Sequence, residues 1–170
     1  MTAHVSMACV GKTIHLGISS ANENLMAEMA SLMISERTGS SVKIDVYKDS
    51  RDMYEAVKHG KVNIIIENTD SALVVLGRSK GSGSSGLDSI KSEYRKNLNL
   101  TWLNSFGVAP QYAPVLTADT LSNYPALPKL LNKLAGALSN DTYAKLLKSV
   151  ESNDKTKKIA KDFLKGKKLI

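Results

Sequence analysis

Three times in its first eighty residues the chain sets a short run of apolar, largely branched residues ahead of small polar residues, and these ahead of apolar positions at helical spacing. Thr13–Ile18 leads into Ser19-Ser20-Ala21-Asn22, then Leu25, Met26, Met29, Leu32 and Met33, with Gly39 to stop the helix. Val42–Tyr47 leads into a helix over Ser50–His59 closed by Gly60, and Val62–Glu67 into a helix from about Asp70 to Arg78. Successive units of this kind predict a parallel sheet with right-handed crossovers. The third junction, Val62 to Leu73 (VNIIIENTDSAL), is the most abrupt. A solid run of branched residues suits a strand covered on both faces. The Asn, Thr, Asp and Ser after it are residues whose side chains cap helices, and Asp70 reads as the cap, favoured there by the helix dipole. In an open α/β sheet the crevice beyond the carboxyl ends of the strands is the usual ligand site. This polar edge is therefore where function is expected.

Residues 80–87 contain Gly81-Ser82-Gly83-Ser84-Ser85-Gly86, a loop that is flexible by composition. Leu87, Ile90, Tyr94 and Leu98 then recur at helical spacing, and Leu100–Leu103 reads as a short strand. Phe106–Leu116 is extended and carries Pro110 and Pro114, which place it at an edge or a crossover. From Thr117 onward the pattern is helical, with Pro125 and Pro128 in a first turn, Gly136 as a weak point and Asn140-Asp141 capping a new helix. Met26, Met29 and Met33 are expected to fill core gaps.

At 170 residues the chain suits one domain or a lean pair, large enough to bury roughly 70% of its unfolded surface. Cys9 is alone, so no disulfide forms within the chain, and no apolar run approaches the ~20 residues of a membrane span. The net charge of +7 resides mostly in Ser152–Ile170, where seven Lys face Asp154 and Asp162. Lys without Arg or interleaved aromatics is a poor nucleic-acid footprint, so the tail reads as a solvated amphipathic helix. Residues 1–11 read as a leader remnant or a disordered start: Ser6 and Ala8 are small residues at −3 and −1 from Cys9, as at a lipid-anchor cleavage site, without the flanks of a signal peptide. His4, His15 and His59 are scattered, which gives neither metal spacing nor a nucleophile and base. Glu67 and Asp70 lack an accompanying nucleophile or oxyanion donor. No catalytic residue, metal or cofactor is therefore expected, and the chain does not read as an enzyme.

The order of motifs resembles the substrate-binding proteins of glycine betaine, choline and proline-betaine ABC transporters. The similar features are KTIHLGISSANENLMAEMASLM (Lys12–Met33), the Thr38-Gly39 turn, and Lys58-His59-Gly60-Lys61-Val62-Asn63 running into a strand. Glu67-Asn68-Thr69-Asp70-Ser71 stands where that family has a motif like E-Y-T-G-T, with Asn68 in place of the Tyr. Thr101–Gly107 is similar to its V-W-L-x-x-x-G, followed by Ala113-Pro114-Val115, Leu121–Leu138 and Ala160–Lys165. The resemblance covers Lys12 to the C-terminus, and its last part is the most specific. In that family two lobes close on the solute, and the chain leaves lobe one after the W-L strand and returns before A-P-V. Here exit and return are fused within residues 106–116, with no second lobe between them.

The resemblance implies residues 12–170 as one lobe of a type II periplasmic-binding-protein fold: a mostly parallel five-stranded sheet, helices on both faces and a helical C-terminus. It implies an extracytoplasmic solute-binding domain working with an ABC permease on a quaternary ammonium such as glycine betaine, and membrane contact only through a lipid on Cys9. Such a cation is usually held by an aromatic cage, yet aromatics are 5% of this chain, and Trp102 on its strand reads as core. Ligand contacts are expected from Ser19, Ser20, Asn22 and Glu23 after the first strand, from Asn68, Thr69 and Asp70 after the third, and from Gln111 and Tyr112 at the crossover. Glu23 or Asp70 would face the cation. The alternative is an interaction module that kept the lobe and lost the solute, forming a homodimer through the exposed carboxyl edge.

Overall fold

The computed structural model describes residues 12–79, 86–107, 110–150 and 155–170. Cys9, His4 and nearly all of the Gly/Ser run lie outside them. Strand β1 (Ile14–Ile18) passes through a 3-10 turn (Ala21–Glu23) into α1 (Asn24–Thr38), followed by β2 (Val42–Val46), α2 (Ser50–Lys58), β3 (Ile64–Asn68) and α3 (Thr69–Val75). Then come α4 (Leu87–Glu93), a π-helical turn (Tyr94–Leu98), β4 (Leu100–Trp102) and β5 (Tyr112–Thr117). Four helices close the chain: α5 (Ala118–Asn123), α6 (Leu127–Ala137), α7 (Asn140–Val150) and α8 (Thr156–Gly166). The helical run reaches Leu98 as expected, with its last turn π-helical, and Asn99 in the left-handed region (φ 55°) redirects the chain into β4.

The sheet order is β2-β1-β3-β5-β4. β1 pairs parallel with both β2 and β3, whereas β5 runs antiparallel to both β3 and β4. The sheet is thus mixed, because the βα logic governs only the first three strands. β5 is reached from β4 by a short return, and a short return permits only antiparallel neighbours. At its neck Phe106 N–H donates to Tyr112 O (3.0 Å) and Tyr112 N–H to Phe106 O (2.8 Å). Gly107 turns here at φ 103°, and a Cβ on it would lie 2.8 Å from Pro110 O.

Pro114 is not at an edge, since β5 lies between β3 and β4. Leu103 N–H donates to Pro114 O (2.9 Å), but the reciprocal bond is impossible because proline has no N–H. That missing donor is where the β4–β5 ladder stops and why β4 ends at Trp102. Asn132 Oδ1 then accepts from Asn104 N–H (2.8 Å) and steers the chain away from the sheet.

One face of the sheet packs Ile14, Leu16, Ile18, Ile64, Ile66 and Leu116 against α1 and the C-terminal helices. The other packs Val62, Ile65, Ala113 and Val115 against α2, α3 and α4. Met26, Met29 and Met33 are fully buried, as a packing stripe should be. Trp102 is core, with Tyr94 edge-on at 5.4 Å. In α8, Ala160 and Leu164 are buried in the core cluster that α1 centres, while the lysines at 157, 158, 161 and 165 stay outside it. Leu164→Ala should cost roughly 2 to 5 kcal/mol by the cavity it leaves, and Lys161→Ala less than about 0.5 kcal/mol. Urea unfolding of the two variants measures the difference.

Candidate functional site

The carboxyl ends of β1 and β3 and the start of β5 converge on one edge of the sheet. After β1, Ser20 caps the 3-10 turn by accepting from Asn22 N–H (3.2 Å), and Glu23 completes a capping box. Glu23 Oε2 accepts from Ser19 N–H (2.8 Å) and Ser20 N–H (3.2 Å). Ser20 and Asn22 are exposed, Ser19 is partly buried, and Glu23 is only 2% exposed. Sequence alone placed Glu23 facing a solute, but not folded under its own loop.

After β3 the cap of α3 is Asn68, not Thr69 or Asp70: Asn68 Oδ1 accepts from Ser71 N–H (2.9 Å). The strand runs one residue further than its apolar composition suggested, because Asn68 still pairs with Tyr112 across β5. The helix boundary moves with it. Thr69 and Gln111 lash the two strands together, Thr69 N–H donating to Gln111 O (3.0 Å) and Gln111 N–H to Thr69 Oγ1 (3.1 Å). Gln111 Oε1 also accepts from Ser105 Oγ (2.8 Å). Asp70 is half-buried in the first turn of α3, where the helix dipole favours its charge.

Beneath this edge lies a polar network that sequence spacing did not signal. Glu67, 1% exposed, accepts from Tyr54 Oη (2.6 Å), Tyr94 Oη (3.4 Å) and Asn68 N–H (2.9 Å), with the Ser71 hydroxyl as a further donor. Tyr54 and Tyr94 hydroxyls are themselves 2.7 Å apart. From Ser71 a chain of hydroxyls runs through Ser50 (3.2 Å) to Ser19 (3.3 Å), so the edges of β1 and β3 are joined by hydrogen bonds. Burial raises the Glu67 carboxyl above its ordinary value, while its donors pull the other way. Glu23 is pushed up to about 7, chiefly by burial, with the Ser19 amide opposing and the Glu67 charge adding to the rise.

Above the network three rings gather. Phe106 stacks near Tyr112 (6.1 Å, 24°) and meets Tyr143 edge-on (4.9 Å, 66°), and Tyr112 lies 6.1 Å from Tyr143. Tyr143 Oη donates to Asn22 O (2.8 Å), which ties α7 to the loop after β1. The rings, with Pro110, Asn140 and Leu147, line an open cavity of about 270 Å3. Burial raises the Tyr112 hydroxyl, and Glu23 and Asp70 press on it in the same direction, so both carboxyls act at this ring. Burial likewise holds Tyr143 in its neutral form. Of the expected residues, Tyr112 enters the cavity wall, while Ser20, Asn68, Thr69 and Gln111 form its hydrogen-bonded frame. Phe106 and Tyr143 were missed as site residues. Phe106 was visible only as part of the crossover, and Tyr143 lies in a late helix with no local motif. A larger cavity of about 600 Å3, beside His15, Asp45, Tyr47 and Lys61, holds none of the expected residues.

Residues 104–166 match a family model described as the substrate binding domain of an ABC-type glycine betaine transport system. A crystal structure of a glycine betaine/carnitine/choline ABC transporter superposes with a TM-score of 0.79 at 14% identity, covering 93% of this chain and 98% of that one. Apo YehZ from Escherichia coli superposes with a TM-score of 0.80 at 12% identity, covering 94% and 100%. The chain therefore shares the α/β fold of these two structures. The matched segment runs from the end of β4 into α8 and contains the three rings.

Two outcomes are expected of the frame. Asn68→Ala removes the capping oxygen and should cost about 1 kcal/mol, with Asp70→Ala costing less, as read from thermal unfolding. Glu23, whose folded value lies above its ordinary one, adds stability that is full below about pH 4.5 and is lost as pH rises through about 7. The loss is of order 3 kcal/mol. Glu23→Gln should flatten denaturant stability across that window, and an unchanged pH profile would show that Glu23 titrates normally.

Proposed function

We propose that this chain, an OpuAC-type binding protein by its C-terminal match and its fold, is an extracytoplasmic solute-binding domain, reduced to one lobe, that serves an ABC permease and takes small quaternary ammonium solutes of the glycine betaine kind. The observation that carries the reading is the group Phe106, Tyr112 and Tyr143 with Glu23 and Asp70 acting at Tyr112. Ring faces attract a desolvated cation by about 0.5 to 2 kcal/mol each, and nearby carboxyls add to that field. The hydroxyls and amides of Ser19, Ser20, Asn22, Asn68, Thr69 and Gln111 would orient the rest of the solute. The direct return from Phe106 to Tyr112 is what supports a single lobe: the two ends of the turn are hydrogen-bonded to each other. One lobe leaves the solute wet, and well-formed sites bury most of a ligand. Affinity near millimolar, about −4 kcal/mol, is the scale to expect.

A second reading, a homodimer or other interaction through the carboxyl edge, is favoured by one observation. Val46 at the end of β2 and Val74 in α3 are 74% and 71% exposed.

Titration calorimetry with glycine betaine, choline, carnitine and proline betaine tests the first reading. Saturable heat is expected at millimolar solute, and Tyr112→Ala should weaken it by roughly 2- to 30-fold, the range of one ring's attraction. Complete absence of heat for all four solutes removes the transport reading. Light scattering over a concentration series addresses the second reading, which a strict monomer would exclude.

A further inference from the structure

The solute site rests on two buried carboxyls that have no cation of their own. Neither Glu23 nor Glu67 makes an ion pair among the described residues. The groups facing Glu23 are Ser19 and Ser20 from the end of β1, Glu67 from β3, Tyr112 from β5 and Tyr143 from α7. Those facing Glu67 are Tyr54 from α2, Tyr94 from the π turn and Ser71 from α3, with the amide of Asn68. Asp70 adds a further acid beside Tyr112. No Lys, Arg or His belongs to either set.

The two acids are not equivalent. Glu67 is held by four donors, each of which favours its charged form. Glu23 has two amide donors, both on Oε2, which leaves Oε1 to carry a proton. Two like charges in one buried unit are costly, and such pairs divide into one ionised and one protonated member.

Resting on the solute-binding reading above, we propose that the site exchanges a proton for its cation: in the empty protein Glu67 is ionised and Glu23 carries a proton on Oε1, and a quaternary ammonium seated on Tyr112 displaces that proton to water. The only bond broken is the O–H of Glu23. The proton leaves past the exposed Ser20 and Asn22, and the positive charge of the solute replaces it. For choline, whose only charge is its ammonium, the total charge of the site is therefore nearly the same empty and filled, so filling it does not bury a new net charge. Uptake would be favoured at higher pH. With Glu23 near 7 in the empty protein, affinity should rise about tenfold from pH 6 to pH 8.

Calorimetry with choline, which carries no carboxylate, at pH 6.5, in one buffer of low and one of high ionisation heat, counts the protons released. Heats that differ by the buffer's ionisation heat, corresponding to most of one proton per choline, support the exchange. Glu23→Gln, which keeps the size and an acceptor oxygen, should then abolish both the buffer dependence and the pH dependence of affinity. Equal heats in both buffers, with affinity flat across pH 6 to 8, overturn the exchange and leave solute binding standing. No heat at either pH removes the solute reading and the exchange with it. Carbon-13 NMR of the Glu23 carboxyl in the solute-free protein decides independently: a midpoint near 7 is required, and a midpoint near the ordinary carboxyl value overturns the proposal whatever choline does.

Discussion

A carboxyl group sealed beneath the end of β3 is the constraint around which one side of this molecule is organised. An isolated buried charge would cost several kcal/mol, so Glu67 requires donors, and they come from separate parts of the chain. Tyr54 stands on α2, Tyr94 in the π turn and Ser71 on α3. To bring both tyrosine hydroxyls within reach, α2 and the π turn must pack on the same face of the sheet, and they do, in the cluster that also holds Trp102 and Ile65. The apolar packing and the polar network therefore specify the same arrangement. Consistency of this kind between levels is what makes one fold win over its competitors.

The same economy of placement makes the candidate site. The hydroxyls of Ser71, Ser50 and Ser19 connect the network to the loop after β1, and that loop receives Tyr143 from α7 through Asn22 O. Hence the surface above Glu67 is assembled from β1, β3, β5, α7 and the return turn. Each contributes one or two side chains, and none is held by a flexible loop alone. Preorganised groups lose little freedom when a ligand arrives.

The return from Phe106 to Tyr112 sets both the topology and the chemistry. Gly107 permits the turn, since its φ of 103° and the close Pro110 carbonyl exclude a side chain. Reversal there makes β5 antiparallel, Pro114 ends the ladder with β4, and Phe106 and Tyr112 come to face each other across the neck. The aromatic group of the candidate site and the sheet reversal thus share the same residues.

Much of the fold was already determined by local sequence. The strand-to-helix alternation of Thr13 to Arg78, the Met stripe of α1, the core role of Trp102 and the amphipathic C-terminal helix follow from periodicity and capping chemistry, which act between residues only a few positions apart. The carboxyl edge was legible as a candidate site for the same reason, since polar residues after a solid apolar strand are conspicuous. Tertiary structure alone decided the rest. The antiparallel sense of β5 depends on a turn whose closure is a contact between Phe106 and Tyr112, and the cap of α3 moved to Asn68 because β5 extends the pairing of β3. The buried partnership of Glu67 with Tyr54 and Tyr94 spans sequence separations of 13 and 27 residues, and Tyr143 reaches Asn22 across 121. Periodicity carries no record of such pairs, because side-chain hydrogen bonds and ring contacts between distant segments exist only once packing has brought those segments together.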